Sequence, residues 1–414
     1  MTWQSICDVR RVSWLSRQID EIRADRALTF YGAALALANV FTCYQWQYRT
    51  GVPQMIGSGA TPLCWPFWEN CHAVLSVSGV NRTLWLYLLL SIVAVAAFLS
   101  RRVGTAYVLL FAVNVFRLIV MAQDYRLRAN QHYMLNWAVF AFLIVPGKRA
   151  LLHHVLASLY FWAGMLKLDW EWLSGAALYS QGWIPTALVP ASCVYVVLLE
   201  TTLVFGIYAR RSWIFWGTLA QLAAFHVVSW PIVGFWYPLL MFCLLAIVPL
   251  ARLLPRPERD PSGVRVLQTA ALISLAALQF VPRLFPGDSA ITGEGRVFAL
   301  HMFDALIECD ASMTYRFDDG TARTVMLEQT KRLPHRSRCD PIVYFDLAKN
   351  ACRALPPHVG DFDLALRSKH SIEPGYHDVI AVSGFCGTDP HYDMWRHNAW
   401  IRTDQPASTA AWRR

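Results

Sequence analysis

Five ionisable side chains stand inside long apolar runs of this sequence: Arg117, His132, Lys167, Glu200 and His226. Such groups are costly to take out of water and by default mark function. An amine in an apolar pocket loses its proton more readily and becomes available as a base, and a neighbouring histidine or carboxylate can assist it. Lys167 stands out. Of 37 Lys+Arg only five are lysine, and before residue 330 only Lys148 and Lys167 are. Lys148 lies in the basic turn "PGKR", where a charge is expected; Lys167 follows "YFWAGML". Tyr160, Gly164 and Lys167 obey the i, i+4, i+7 spacing and share one helix face. Gly164 lets either a flat ring or a second helix come close to the backbone there.

Taken singly, each has a plainer explanation. Lys167 could snorkel to an interface or pair with Glu171 one turn on. Arg117 and Glu200 could form a structural ion pair, and a lone histidine is usually a packing residue. Their shared depth argues for a site, because all five fall in the same half of the membrane on five different helices.

The elements that must position them follow from composition. The chain has 414 residues, 56% hydrophobic and 16% charged, against about 25% charged in soluble domains. The apolar residues come in helix-length blocks. The expected fold is mainly α, a polytopic membrane helix bundle of about nine spans with a C-terminal, mostly β extracytoplasmic domain. The spans are Ala27–Trp46, Thr83–Leu99, Gly104–Met121, His132–Val145, Ala150–Leu168, Pro190–Tyr208, Ser212–Trp230, Ile232–Leu250 and Val264–Val281. Residues 1–26 read as a cytoplasmic, interfacial amphipathic segment, 27–282 as the bundle and 283–414 as the extracytoplasmic domain. No secretory signal is visible. In the last part, Asp318-Asp319-Gly320 reads as a hairpin turn.

Basic residues set the orientation. Fifteen Lys and Arg, among them Arg101, Arg102, Lys148, Arg149, Arg210 and Arg211, fall in segments that are inner if the N-terminus is cytoplasmic, against four (Arg49, Arg82, Arg126, Arg128) in the outer connections. This asymmetry accounts for most of the net charge of +9, so nucleic-acid binding is not read from it. Cys64, Cys71, Cys309, Cys339, Cys352 and Cys386 all face the oxidising side, where disulfides are expected in pairings that spacing cannot assign. No metal-ligand spacing is present.

The stretch "YFWAGMLKLDWEWLSGAAL" resembles the vitamin K-dependent γ-carboxylase family and its bacterial relatives with the horizontally transferred transmembrane domain. The family pattern is an aromatic, Ala-Gly, two residues, Lys-Leu-Asp, then Trp and Gly; Lys167, Asp169, Trp172 and Gly175 match it. "NQHYML" is similar to the family's Asn-rich segment before His-x-Tyr, and "FHVVSWPIVGFWY" to its Phe-His helix. The resemblance implies that Lys167 is the catalytic base and His132 its assistant. It puts Gln131, Tyr160, Gly164, His226 and Met302 around the cofactor and Glu200 where an Asp can stand. The cofactor implied is reduced vitamin K or another naphthoquinone, such as a menaquinol, with O2 and CO2 as co-substrates and no metal. The implied reaction couples quinone epoxidation to carboxylation of glutamate in a protein or peptide. The resemblance also implies a disulfide tying Cys64, or else Cys71, to the extracytoplasmic domain. In "RVFALHMFDALIECD" Met302 and Phe298 are kept, but Leu300 replaces the family's Trp, and the chain is shorter than the animal enzyme, whose propeptide-binding part is expected to be missing. Two other readings follow: a quinol-oxidising relative that does not carboxylate glutamate, and a non-catalytic membrane protein that binds a partner. The arginine-rich composition points to a bacterial cytoplasmic membrane, with the lipid bilayer as the first partner.

The charge asymmetry predicts that a reporter fused after Ala290 is active only outside the cytoplasm and one fused after Arg259 only inside. The reverse pattern in a fusion assay would overturn the orientation.

Overall fold

The computed structural model describes residues 14–58, 62–68, 71, 75–179, 184–255, 265–301, 307–327 and 335–403. Met302 lies outside them. The chain opens with α1 (Trp14–Ala24), α2 (Arg26–Gln45) and α3 (Val52–Ile56), followed by α4 (Val77–Leu99) and α5 (Val103–Gln123). Next come α6 (Asn130–Leu143), α7 (Lys148–Leu166), α8 (Trp170–Leu173), α9 (Ala176–Tyr179) and α10 (Val189–Thr201). The helical part closes with α11 (Ser212–Val233), α12 (Trp236–Leu245), α13 (Ile247–Leu253), α14 (Arg265–Phe280) and the short α15 (Ser289–Thr292).

Helix starts follow capping chemistry. Asp25 accepts the Ala27 amide at 2.8 Å to open α2, and Ser76 accepts Gly79 N–H at 3.1 Å to open α4, each satisfying a backbone donor that the helix leaves over. Each of the nine stretches expected to span holds helix, but among the described residues five helical segments are long and apolar enough to cross a membrane: Arg26–Thr50, Val77–Leu99, Val103–Gln123, Trp236–Leu253 and Arg265–Leu284. The others fall short for visible reasons. α6 has only 14 residues, and α10 stops at Thr201 before a 3-10 turn over Leu203–Tyr208. α7 carries His153 and His154 mid-helix, and α11 carries Gln221 and His226. On α4 and α5 the outward side chains are apolar, among them Leu86, Leu89, Ile92, Val108 and Phe111. Such faces fit a lipid bilayer.

The amphipathic N-terminal helix is present as α1, and it is anchored by the lysine first read as an ordinary turn charge. Lys148 is fully buried. Its ammonium donates to Gln18 and to the Val145 carbonyl and lies 3.9 Å from Glu21, while Arg149 pairs with Asp25 at 3.1 Å. Buried charge therefore exists at both ends of α7.

The C-terminal part is mixed, where a mostly β domain was expected. The strands β1 (Ile307–Phe317), β2 (Ala322–Met326), β3 (Val359–His370) and β4 (His377–Val382) form an antiparallel sheet in the order β2-β1-β3-β4. The expected turn joins β1 to β2, with Gly320 at φ +82, a backbone that glycine adopts without penalty. The helices α16 (His335–Arg338), α17 (Pro341–Arg353) and α18 (Phe385–Thr388) complete it. Alternation along β3 buries Phe362, Leu364, Leu366, Ser368 and His370. Tyr344, Phe345 and Ala348 of α17 share the same apolar cluster as the β3 residues Phe362, Leu364 and Leu366.

All six expected cysteines are bridged, but not as the family resemblance implied. The pairs are Cys64–Cys71, Cys309–Cys339 and Cys352–Cys386, with Cα separations of 5.3, 5.6 and 5.5 Å. No bridge joins the first loop to the C-terminal domain among the described residues. Packing does that instead: Leu63 and Trp65 of the loop cluster with Tyr125, Ile342 and Val343, and Tyr125 donates to Asp340 at 2.7 Å. With each cysteine's neighbour inside its own unit, a covalent tie is unnecessary. Non-reducing peptide mapping is expected to return these three local pairs, and a peptide joining Cys64 or Cys71 to any of the other four would refute the arrangement.

Candidate functional site

Lys167 caps the C-terminal end of α7. Its Nζ donates to Glu200 Oε2 at 2.5 Å and to the Ala163 carbonyl at 3.3 Å, and it lies 5.6 Å from the centre of the Trp172 ring. Both side chains of the pair are almost wholly buried, 3% and 4% exposed. The partner is therefore neither Glu171 for the lysine nor Arg117 for Glu200. Gly164 makes this pairing possible. A Cβ there would sit 2.8 Å from Glu200 Cβ and from Thr201 Cγ2, so only glycine lets α10 close on α7 at that level. The expectation that Gly164 leaves room for a flat ring is corrected: the space over it is occupied by α10.

Tyr160, one turn before Gly164, is hydrogen-bonded to His226 of α11, Oη to Nε2 at 2.5 Å. His226 is fully buried among Phe225, Tyr237 and Phe242. Its Nδ1 has no hydrogen-bond partner among the described residues.

Arg117 and His132 form a second group, between α5 and α6. Arg117 donates to Asn136 at 2.5 Å, and its Nε and Nη1 have no partner among the described residues; the same is true of His132 Nδ1. The His132 ring lies 5.5 Å from Trp46. Gln131 is half-buried, and the neighbour that makes contact is Asn130. Asn130 brackets His301, donating to its carbonyl and accepting its amide at 3.1 Å. Tyr133 donates to the Phe298 carbonyl at 3.0 Å and accepts from Gln279 at 2.7 Å, and Gln279 in turn accepts the Leu300 amide at 3.0 Å. The start of α6 and the end of α14 thus clamp the segment that precedes β1. Asn130 and Gln279 were missed because an amide in an apolar run shows no partner in one sequence.

A third group locks the C-terminal domain beside the lysine. Glu171, in α8 just after Lys167, accepts the Ser371 amide at 2.7 Å and its hydroxyl at 2.9 Å. His370, at the end of β3, lies 3.3 Å from Glu171 and 3.2 Å from Asp288, the N-cap of α15. Burial alone would depress the His370 imidazole, but its hydrogen bond to Asp288 and the carboxylate of Glu171 beside it outweigh burial and hold it at about 10. The sequence signal was available: His370 ends the alternating run "DFDLALRSKH" on its buried phase.

Among the described residues, one buried imidazole nitrogen each of His132 and His226 and two guanidinium nitrogens of Arg117 thus remain without a hydrogen-bond partner. Cavities of about 170 Å³ beside Arg26 and about 10 Å³ beside Cys43 lie elsewhere. Comparison with protein-family models, with curated proteins and with solved structures found no match.

The charged His370 contributes stability that is fully present below the ordinary imidazole pKa near 6.5 and is lost as pH rises through about 10. The detergent-solubilised protein should lose Tm between pH 7 and 10.5. His370→Gln should lower Tm at pH 7, with breakage of the buried pair costing about 3 kcal/mol, and should flatten the alkaline slope. An unchanged slope in the variant would contradict the assignment.

Proposed function

We propose that this chain is a membrane enzyme of the vitamin K-dependent γ-carboxylase type, in which Lys167 acts as base toward a reduced naphthoquinone with O2 and CO2 as co-substrates and a glutamate of a protein or peptide as acceptor. The observation that carries the reading is the buried Lys167–Glu200 pair at 2.5 Å. We place the bundle in a bacterial cytoplasmic membrane, crossing it about nine times, with the N-terminus cytoplasmic and the C-terminal domain outside. The three disulfides of the first loop and the C-terminal domain support an oxidising side for both.

A reduced naphthoquinone, when bound, would supply the electrons for reduction of dioxygen, whose two oxygens end in the epoxide and in water. The chain's part is proton handling. An ammonium cannot accept a proton, so Lys167 must first lose one, and Glu200 Oε2 is placed to take it. The pair is neutral overall whether the proton sits on Nζ or on Oε2, so the transfer leaves no net charge in a medium of low dielectric. The amine so formed can then accept a proton from a substrate hydroxyl. His226 Nδ1, with Nε2 fixed by Tyr160, and Arg117 beside His132 are buried polar groups able to hold substrate oxygens. Trp172 over the ammonium and the α7–α10 contact keep water away from the pair.

Quinol oxidation without glutamate carboxylation has its own support. Leu300, at the position where the carboxylases carry Trp, is only 3% exposed and packs into the bundle core, so it presents no aromatic surface to an acceptor peptide. The non-catalytic reading draws on Gly164, whose tight contact is also what a helix lock would need.

Epoxide formed per enzyme under reducing conditions separates the three. Lys167→Ala should lower it about 10²–10⁴-fold, with partial rescue by a small exogenous amine. Lys167→Arg should fail nearly as badly because guanidinium stays protonated. Glu200→Gln should fail while keeping the fold, since an amide fills the same space and takes no proton; His132→Ala should lose less. Epoxide without incorporation of labelled bicarbonate into an acceptor peptide would select the quinol-oxidising form. Full activity in Lys167→Ala, or a Lys167→Met/Glu200→Met protein as competent as wild type, would leave only the lock.

A further inference from the structure

The larger cavity, about 170 Å³, lies at the opposite end of the bundle from Lys167, where α1 meets α2 and α4 turns into α5. Three arginines from three separate elements line it: Arg23 in the last turn of α1, Arg26 in the first turn of α2, and Arg101 in the turn between α4 and α5. Arg23 is held by Asp20 at 2.6 Å. The nearby Asp25 is committed to Arg149 and to its own helix cap. Neither Arg26 nor Arg101 has an acidic partner among the described residues. The rest of the lining is Phe30, Phe98, Leu99 and Val103, with Phe30 and Leu99 exposed, and Thr29, whose hydroxyl is taken up by the Ile22 and Asp25 carbonyls.

Two further details favour an anion. Arg101 holds the left-handed backbone, φ 59, of the turn that ends α4, with its amide on the Phe98 carbonyl and that of Arg102 on the Ala97 carbonyl, and this turn carries its side chain to the cleft. Val103, the first residue of α5, lines the same cleft, and Arg102 at the N-cap offers no side-chain acceptor to the first-turn amides. A 21-residue helix therefore presents its positive end to the cavity where the arginines converge.

We propose that this cleft binds an anionic phospholipid, with the phosphate between Arg26 and Arg101 and an acyl chain along Phe30 and Leu99. The combination of phosphate-matching guanidinium groups with an apolar wall open to the bilayer is the chemistry of a lipid, not of a soluble anion. The inference does not depend on the reading of Lys167.

Native mass spectrometry of the full chain in detergent, with equimolar phosphatidylglycerol and phosphatidylcholine, tests it. Phosphatidylglycerol should be retained preferentially. Arg26→Gln and Arg101→Gln should each reduce its retention about five-fold, the effect expected for one interfacial arginine, and Arg49→Gln, in the segment Trp46–Thr50 beyond the far end of α2, should not. Arg101→Gly, which the left-handed turn accepts without strain, should give the same loss and guards against misfolding of the glutamine variant. Equal retention of the two lipids, no loss in any Arg26 or Arg101 variant, or displacement of phosphatidylglycerol by millimolar inorganic phosphate would overturn the proposal.

Discussion

Everything near the candidate site depends on keeping two opposite charges together out of water. An isolated ammonium or carboxylate in the bundle would cost several kcal/mol, so Lys167 and Glu200 must meet. Meeting requires α7 and α10 to approach closer than ordinary side chains allow. Gly164 provides that closeness, with Glu200 and Thr201 filling the space its Cβ would take. The same contact explains why α10 is short: once Glu200 has reached the lysine, the chain turns at Thr202 into the 3-10 segment Leu203–Tyr208. Local chemistry and helix packing at this point are one arrangement.

The lysine's outlook beyond its partner is set by the C-terminal domain. α8 follows Lys167 after two residues, and its Glu171 is gripped by Ser371 and His370 at the end of β3. The far side of the same histidine holds Asp288, which caps α15. One imidazole thus joins the segment after the lysine, the segment after the last bundle helix and the sheet. The Tyr125–Asp340 bond and the Leu63–Trp65 cluster fasten the other edge of the domain. Because these ties are polar contacts and packing and not disulfides, they can respond to pH and to substitution.

How much of this was legible depended on whether a residue's role is local. The helices were visible because apolar runs of that length have few alternatives, and the Asp318–Gly320 hairpin because its turn chemistry is contained in three residues. Lys167, His132 and His226 were legible as ionisable groups in the wrong solvent. Their partners were not. Lys167–Glu200 spans 33 residues and Glu171–Ser371 spans 200, and the sequence read alone offered Glu171 to the lysine and Arg117 to Glu200. Gly164 was ambiguous for the same reason, since ring access and helix contact demand the same absence of a side chain. The disulfides show the limit from the other side: the six cysteines could be named, but the family resemblance suggested a bridge where packing already held the loop.

The arginine-rich composition gives one more constraint. With five lysines against 32 arginines, a lysine at a buried position asks why arginine does not serve. Both lysines of the bundle sit at the ends of α7, and both are engaged by other elements, Lys148 by Gln18 and Glu21 of α1 and Lys167 by Glu200 of α10. Each ammonium also donates to a main-chain carbonyl close in sequence, Val145 or Ala163. A compact point charge suits such a narrow seat, whereas a planar five-donor guanidinium would leave more donors to satisfy. Size alone therefore accounts for Lys148, whose neighbours tie an interfacial helix to the bundle. At Lys167 the seat has further properties: a carboxylate that can share the proton, an aromatic ring over the ammonium, and a neighbouring Tyr160–His226 bond whose histidine has a second nitrogen with no partner among the described residues. An ammonium can give up its proton and a guanidinium cannot. The two ends of one helix thus separate what lysine does as an anchor from what it can do as a base.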